Sequence, residues 1–179
     1  IPIRQCAIRH AETGKIMKSL MGVLAAGLAM IAGEAHAAGC WSDNAYQAAQ
    51  LRDLDTMLMV ATLRCRMKNV DFSTDYNRFV VDKRAILVAA NGDMQSAFAQ
   101  SVGKAKALGA YDDFMTKIAN SYGNGMTGMS CEDFAALART AADAPAARDT
   151  LVVLANAIGS KPPVPVALCS MNVAMTETK

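Results

Sequence analysis

The sequence predicts an all-α domain: a single bundle of about five helices, held by two disulfides and preceded by a signal peptide. Three observations carry this reading. Apolar residues recur at spacings of three and four through almost every segment after Cys40, and no stretch alternates apolar with polar as a half-buried strand does. Glycine and proline, Gly92 apart, fall between these stripes. Finally, residues 17–37 have the make-up of an export signal, and four cysteines follow them.

The signal comes first. Met17-Lys18 is a short basic start, Leu20 to Ile31 an apolar run, and Ala35-His36-Ala37 a small-x-small cleavage site. The run is shorter than the roughly 20 residues that cross a bilayer, and continuing it would bury Glu34 and His36. Residues 1–16 carry Arg4, Arg9, Glu12 and Lys15 in no apolar period and are read as an upstream segment outside the mature protein. Cleavage after Ala37 leaves 142 residues, a usual size for one domain. The expected organisation is an upstream segment 1–16, a signal peptide 17–37, a helical domain 38–170 and a disordered tail 171–179, in a bacterial periplasmic or secreted protein.

The first helix is expected over Asn44 to Met67. Leu51, Leu54, Leu58, Ala61 and Cys65 form its stripe, widened by Met57, Val60 and Leu63, with Ser42 or Asp43 as cap. A second helix starts near Asp71, with Phe72, Tyr76, Phe79, Val80, Ile86, Leu87 and Ala90 on one side. Met94 and Phe98 keep that phase across Asn91-Gly92, and a helical glycine costs only about 1 kcal/mol relative to alanine. One long helix to about Val102 is therefore expected. Gly103 and Gly109 bracket a turn before a third helix on Tyr111, Phe114, Met115, Ile118 and Tyr122, stopped by Gly123. After the glycine loop Gly123 to Gly128, Ser130 with Asp133 approximates a capping box for a helix on Phe134, Leu137, Ala138 and Ala141. Asp143 and Pro145 open a last helix on Leu151, Leu154, Ala155 and Ile158, ended by Gly159. Lys161-Pro162-Pro163-Val164-Pro165 must run extended, because proline cannot join a helical ladder.

Cysteine usage fits export. The mature part keeps Cys40, Cys65, Cys131 and Cys169, an even number with no C-x-x-C spacing, which reads as a structural disulfide framework. Ala37-Ala38-Gly39-Cys40 resembles a lipoprotein box. It lacks the usual Leu three residues before the cysteine, and lipidating Cys40 would leave an odd number. Cys40 and Cys65 stand at opposite ends of the first helix, roughly 35 Å apart at 1.5 Å per residue. A disulfide needs α-carbons within about 7 Å, so Cys40–Cys65 is excluded, and Cys131–Cys169 with it. Of the two remaining pairings, the up-and-down order of the helices favours Cys65–Cys131 with Cys40–Cys169 over the crossed alternative.

Composition narrows the chemistry. Both histidines, His10 and His36, precede the cleavage site, so the mature chain lacks the commonest general base and the imidazole ligand of zinc or haem. The leader carries four of eighteen basic and two of sixteen acidic residues, leaving fourteen of each. That balance, with no basic run, points away from nucleic acid and anionic membrane. No nucleotide-binding glycine motif or hydrolase signature occurs.

Three constellations are candidate sites. Asp112-Asp113 is expected in the first turn of the Tyr111 helix, where negative charge offsets the helix dipole by about 0.3–1 kcal/mol. Met57-x-Met59, Met126-x-x-Met129 and Met171 with Met175 offer soft thioethers that suit Cu(I), against their ordinary use as core filler. Arg52-Asp53-x-Asp55 and Asp75-x-x-Arg78-x-x-x-Asp82 read as solvated intrahelical pairs.

Cys40-Trp41, the run Arg52 to Met59 with Leu63-Arg64-Cys65, Tyr76-Asn77-x-Phe79, and Gly109 to Asp112 with Ala119-Asn120-x-Tyr122 resemble a set of short exported bacterial proteins of unassigned function. The resemblance covers most of the mature chain and implies export and a four-cysteine framework. Its motifs are structural and carry no site across. Members of the set often bear the label S-adenosylhomocysteine hydrolase, which these residues do not support: that class is far longer and needs an NAD-binding glycine fingerprint.

The expectation is a non-enzymatic helical domain that binds an envelope component or a small ligand, with no cofactor and no metal. A carboxylate-dependent hydrolase is the first alternative and Met-based periplasmic copper handling the second. Two or three carboxylates converging in a cleft would favour the hydrolase. A third thioether beside Met126 and Met129 would favour copper, and an exposed apolar patch would favour a protein partner.

Overall fold

The computed structural model describes residues 40–169, all within one compact unit, Ala35–Lys179. The expected signal peptide, the upstream segment and the tail with Met171 and Met175 lie outside the described residues. Six helices follow in order: α1 (Asp43–Arg66), α2 (Ser73–Asp82), α3 (Arg84–Val102), α4 (Lys104–Ser121), α5 (Cys131–Asp143) and α6 (Arg148–Ala157). The described residues contain no strand, so the all-α bundle expected from the sequence is the observed architecture.

The first helix is the axis of the bundle. Ser42 caps it by accepting from the Ala45 amide, and it packs against each of the other five helices. Fourteen of its twenty-four residues are buried, too many for a one-faced amphipathic helix. Ala48 and Ala49 let neighbours approach closely, while Leu51, Leu54, Met57 and Leu58 fill the space between them. Cys65, at its far end, bonds to Cys131 at the start of α5; Cys40, before its near end, bonds to Cys169. Both are the pairings favoured by the sequence, and the second commits the Cys40 sulfur that lipidation would need.

Three expectations about helix limits fail. The long second helix is broken at Lys83, which lies outside the α-helical region (φ −103°, ψ 11°) between α2 and α3. Phe79 and Leu87 stay buried on either side of the break. Lys83 is itself only 4% exposed, and its Nζ donates to the Ala142 carbonyl near the end of α5 at 3.0 Å. The break thus coincides with the place where a buried ammonium reaches its acceptor. Gly92 does not interrupt α3, as expected.

The turn expected between Gly103 and Gly109 shrinks to Gly103 alone, whose positive φ of 83° separates α3 from α4. Gly109 lies inside α4, because Ala107, Phe114 and Ile118 continue one buried face through it. Asp112 and Asp113 consequently stand in mid-helix and exposed, so offsetting the dipole at a helix start does not explain them. Asp143 ends α5 instead of opening α6, which begins at Arg148. The capping box of Ser130 and Asp133 is complete, with reciprocal bonds at 3.2 and 2.8 Å.

The proline-rich segment returns along the bundle to the start of α1. Trp41 N–H donates to the Ala167 carbonyl at 2.9 Å and Cys169 N–H to the Trp41 carbonyl at 2.8 Å, a single parallel bridge across Trp41 and Leu168. Trp41, 1% exposed, meets Phe98 edge-on at 5.1 Å and lies 6.1 Å from Phe114. These rings lock the near end of α1 onto α3 and α4.

Candidate functional site

Three places bring polar or exposed apolar side chains together, and all three involve α1. The first is inside the bundle. Asp53 and Asp55 are 4% and 7% exposed, so the solvated pairs expected of them are not what forms. Two residues apart on a helix, they point about 200° from each other and do not converge. Asp53 accepts from the Tyr122 hydroxyl at 2.8 Å and the Ser160 hydroxyl at 2.6 Å. Asp55 accepts from Tyr76 at 3.1 Å and pairs with Arg52 at 2.5 Å. Burial raises the pKa of both carboxyls, against the opposing pull of these partners. Tyr76 and Tyr122 are both pushed above the ordinary phenol value, chiefly by burial and then by the neighbouring carboxylate. Gln50 extends the polar line, donating to Asn156 Oδ1 at 2.6 Å and to the Ser160 carbonyl at 3.3 Å.

What this arrangement does is fasten. Tyr122 follows α4, Ser160 follows α6 and Tyr76 belongs to α2, so two carboxylates on the central helix hold three peripheral segments. The signal was present in the sequence. An α1 stripe that widens almost all round marks a central helix, and polar residues inside such a helix must be buried and partnered.

The second place is a cleft of about 220 Å³ between the start of α1 and the middle of α3. Ser42 and Asn44 line one side, Asp93, Ser96 and Gln100 the other, and the Cys40–Cys169 disulfide lies at its border. Asp93 Oδ2 accepts from Arg148 Nη1 at 2.7 Å and from Asn44 Nδ2 at 3.1 Å, while Arg148 Nη2 donates to the Asn44 carbonyl at 2.7 Å. Sequence reasoning singled out none of these polar side chains except Ser42, because α6 brings Arg148 to Asp93 across 55 positions. The cleft presents one carboxylate, already paired, and not the two or three of a hydrolase.

The third is on the surface. Met59, Leu63 and Met67 are 39, 62 and 81% exposed and recur every four residues along the second half of α1 and its C-cap. Leu63 was expected to widen the inward stripe; the structure turns it out. Arg64, Arg66 and Lys68 flank the ridge, and Arg66 reaches Asp71 only at 3.9 Å. Arg64 lies against Gly125, where a Cβ would collide with its guanidinium and where φ is +89°.

The remaining candidates resolve simply. Arg78 pairs within α2 with Asp75 at 3.3 Å, as expected, and also reaches Asp143 on α5 at 2.5 Å. Asp82 is exposed. Met57 is buried while Met59 is exposed, so that pair does not converge. Met126 and Met129 are half-buried against the core, an apolar use of the thioether. Among the described residues no three His, Cys, Asp or Glu side chains stand close enough to hold a metal ion, and no helix is long and apolar enough to cross a membrane. No protein-family model matches the chain, and no curated protein or solved structure shows significant similarity to it.

Proposed function

We propose that this chain is an exported helical domain that binds a protein partner in the bacterial envelope, through the ridge on the second half of α1. The observation that carries the reading is the row Met59, Leu63 and Met67, three large apolar side chains turned to water on one helical face. Exposed apolar patches rimmed by polar groups mark interaction sites. Arg64, Arg66 and Lys68 give the rim a positive charge that Asp71 offsets only in part. The partner surface that fits is an acidic segment carrying apolar side chains at helical spacing. Two disulfides and the export signal read from residues 17–37 support an oxidising compartment.

Carboxylate-dependent hydrolysis and copper handling gain no comparable observation. Affinity capture from the envelope with the tagged mature protein tests the proposal, run beside the double variant Leu63→Asp, Met67→Asp. Both positions are exposed, so the variant should melt like the wild type while losing a protein that the wild type retains. Recovery of the same proteins by both forms would remove the ridge as the contact surface.

A further inference from the structure

The polar cleft lies at the other end of α1 from the ridge, which leaves it free to serve a separate purpose. Its lining is polar along one face of α3. Asp93, Ser96 and Gln100 occupy positions i, i+3 and i+7 of α3 and form one polar stripe, with the small side chain of Ala97 leaving room between them. Asp93 is held in place through Oδ2 by Arg148 and Asn44. Its Oδ1 makes no hydrogen bond with any described residue and remains free to accept. Ser96 and Gln100 are exposed and add hydroxyl and amide groups that can both donate and accept. Trp41 lines the same cleft, and its buried indole N–H finds no acceptor among the described residues.

Charge and size then select the ligand class. The single negative charge of the lining is balanced by Arg148, so a cation or an anion entering the cleft would lose its hydration without gaining an unpaired opposite charge. An uncharged molecule rich in hydroxyls loses less and matches the mixed donors and acceptors. A volume of about 220 Å³ equals roughly seven waters at about 30 Å³ each, the size of one sugar ring. We propose that this cleft binds a single uncharged saccharide ring, either a free monosaccharide or the end of a glycan chain.

Trp41 is the one tryptophan of the chain, so its intrinsic fluorescence reports on the cleft directly. The exported protein is titrated with D-glucose, N-acetyl-D-glucosamine and maltose, with ethanolamine as a cation and acetate as an anion. A saturable change with at least one sugar is expected, at a dissociation constant on the order of 1 mM. Tighter binding of maltose than of glucose assigns the natural ligand to a chain end; the reverse assigns it to the free sugar. Asp93→Asn should weaken binding by about tenfold, since it removes a charge-assisted acceptor. Ser96→Leu, at an exposed position, should fill the cleft and abolish binding without altering the fold seen by circular dichroism. Gln100→Ala, also exposed, is the second variant and should weaken binding. The proposal is overturned if no sugar gives a saturable response up to about 100 mM. It is equally overturned if Ser96→Leu responds as the wild type does, or if only ethanolamine or acetate responds.

Discussion

Removing the Tyr122 hydroxyl should cost this protein more stability at neutral pH than in acid. That hydroxyl donates to Asp53 at 2.8 Å, and Ser160 supplies the only other hydrogen bond the carboxylate receives from a described residue. A bond to an ionised, buried acceptor contributes about 1.5–3 kcal/mol, whereas one to a neutral carboxyl contributes about 0.5–1.5 kcal/mol. For a domain of this size each kcal/mol moves the melting temperature by roughly 3–6 °C. Tyr122→Phe should therefore lower it by roughly 5–15 °C at neutral pH and by about half as much in acid.

The sign for Asp53 itself follows from burial. Its folded-state pKa is raised above 3.8, so the folded protein holds the proton more tightly than the unfolded chain does. The stability this contributes is present in full below 3.8 and is lost as pH rises through the raised value. Asp53→Asn lacks that loss, and Ser160 can turn its hydroxyl to accept from the new amide. The variant should gain on the wild type as pH rises across that window. Melting curves of the three proteins by circular dichroism, from about pH 3 to about pH 7, check both statements. Equal Tyr122→Phe losses at the two ends of the range would refute the charge-assisted bond. An Asp53→Asn difference that shrinks with rising pH would refute desolvation as the dominant influence.

Four further outcomes are expected. Graded reduction should open Cys40–Cys169 before Cys65–Cys131, because Cys169 is exposed while Cys65 is 2% exposed; alkylation with mass mapping reads the order. Each disulfide closes a long loop, and losing either should cost about 2–5 kcal/mol in chemical denaturation. Lys83→Met should destabilise by about 1–3 kcal/mol, since it leaves the Ala142 carbonyl without its partner; a neutral result in urea titration would show that the ammonium bond contributes little. Ser130→Ala should cost about 1 kcal/mol by undoing the capping box, with amide exchange accelerating first in the opening turn of α5.

Much of this architecture is local, and the sequence by itself determined it. Helical spacing, the caps at Ser42 and Ser130, and the stops at Gly103, Gly123 and Gly159 act over a few residues, so they are legible without the fold. The disulfide pairing was legible too, because a rigid helix between Cys40 and Cys65 forbids one pairing and chain order favours one of the other two. Tertiary structure alone decided what depends on a neighbour remote in sequence. The helix breaks at Lys83, where the ammonium reaches a carbonyl on α5. Gly109 stays helical because the face through Ala107, Phe114 and Ile118 is buried. Asp53 and Asp55 have the spacing of surface ion pairs, yet α1 sits at the centre and the same side chains become buried anchors. The cleft exists only because α6 carries Arg148 to Asp93 and the disulfide returns the chain to Trp41. Periodicity records how a segment divides its own surface between apolar and polar, and it is silent on which other segment will cover it.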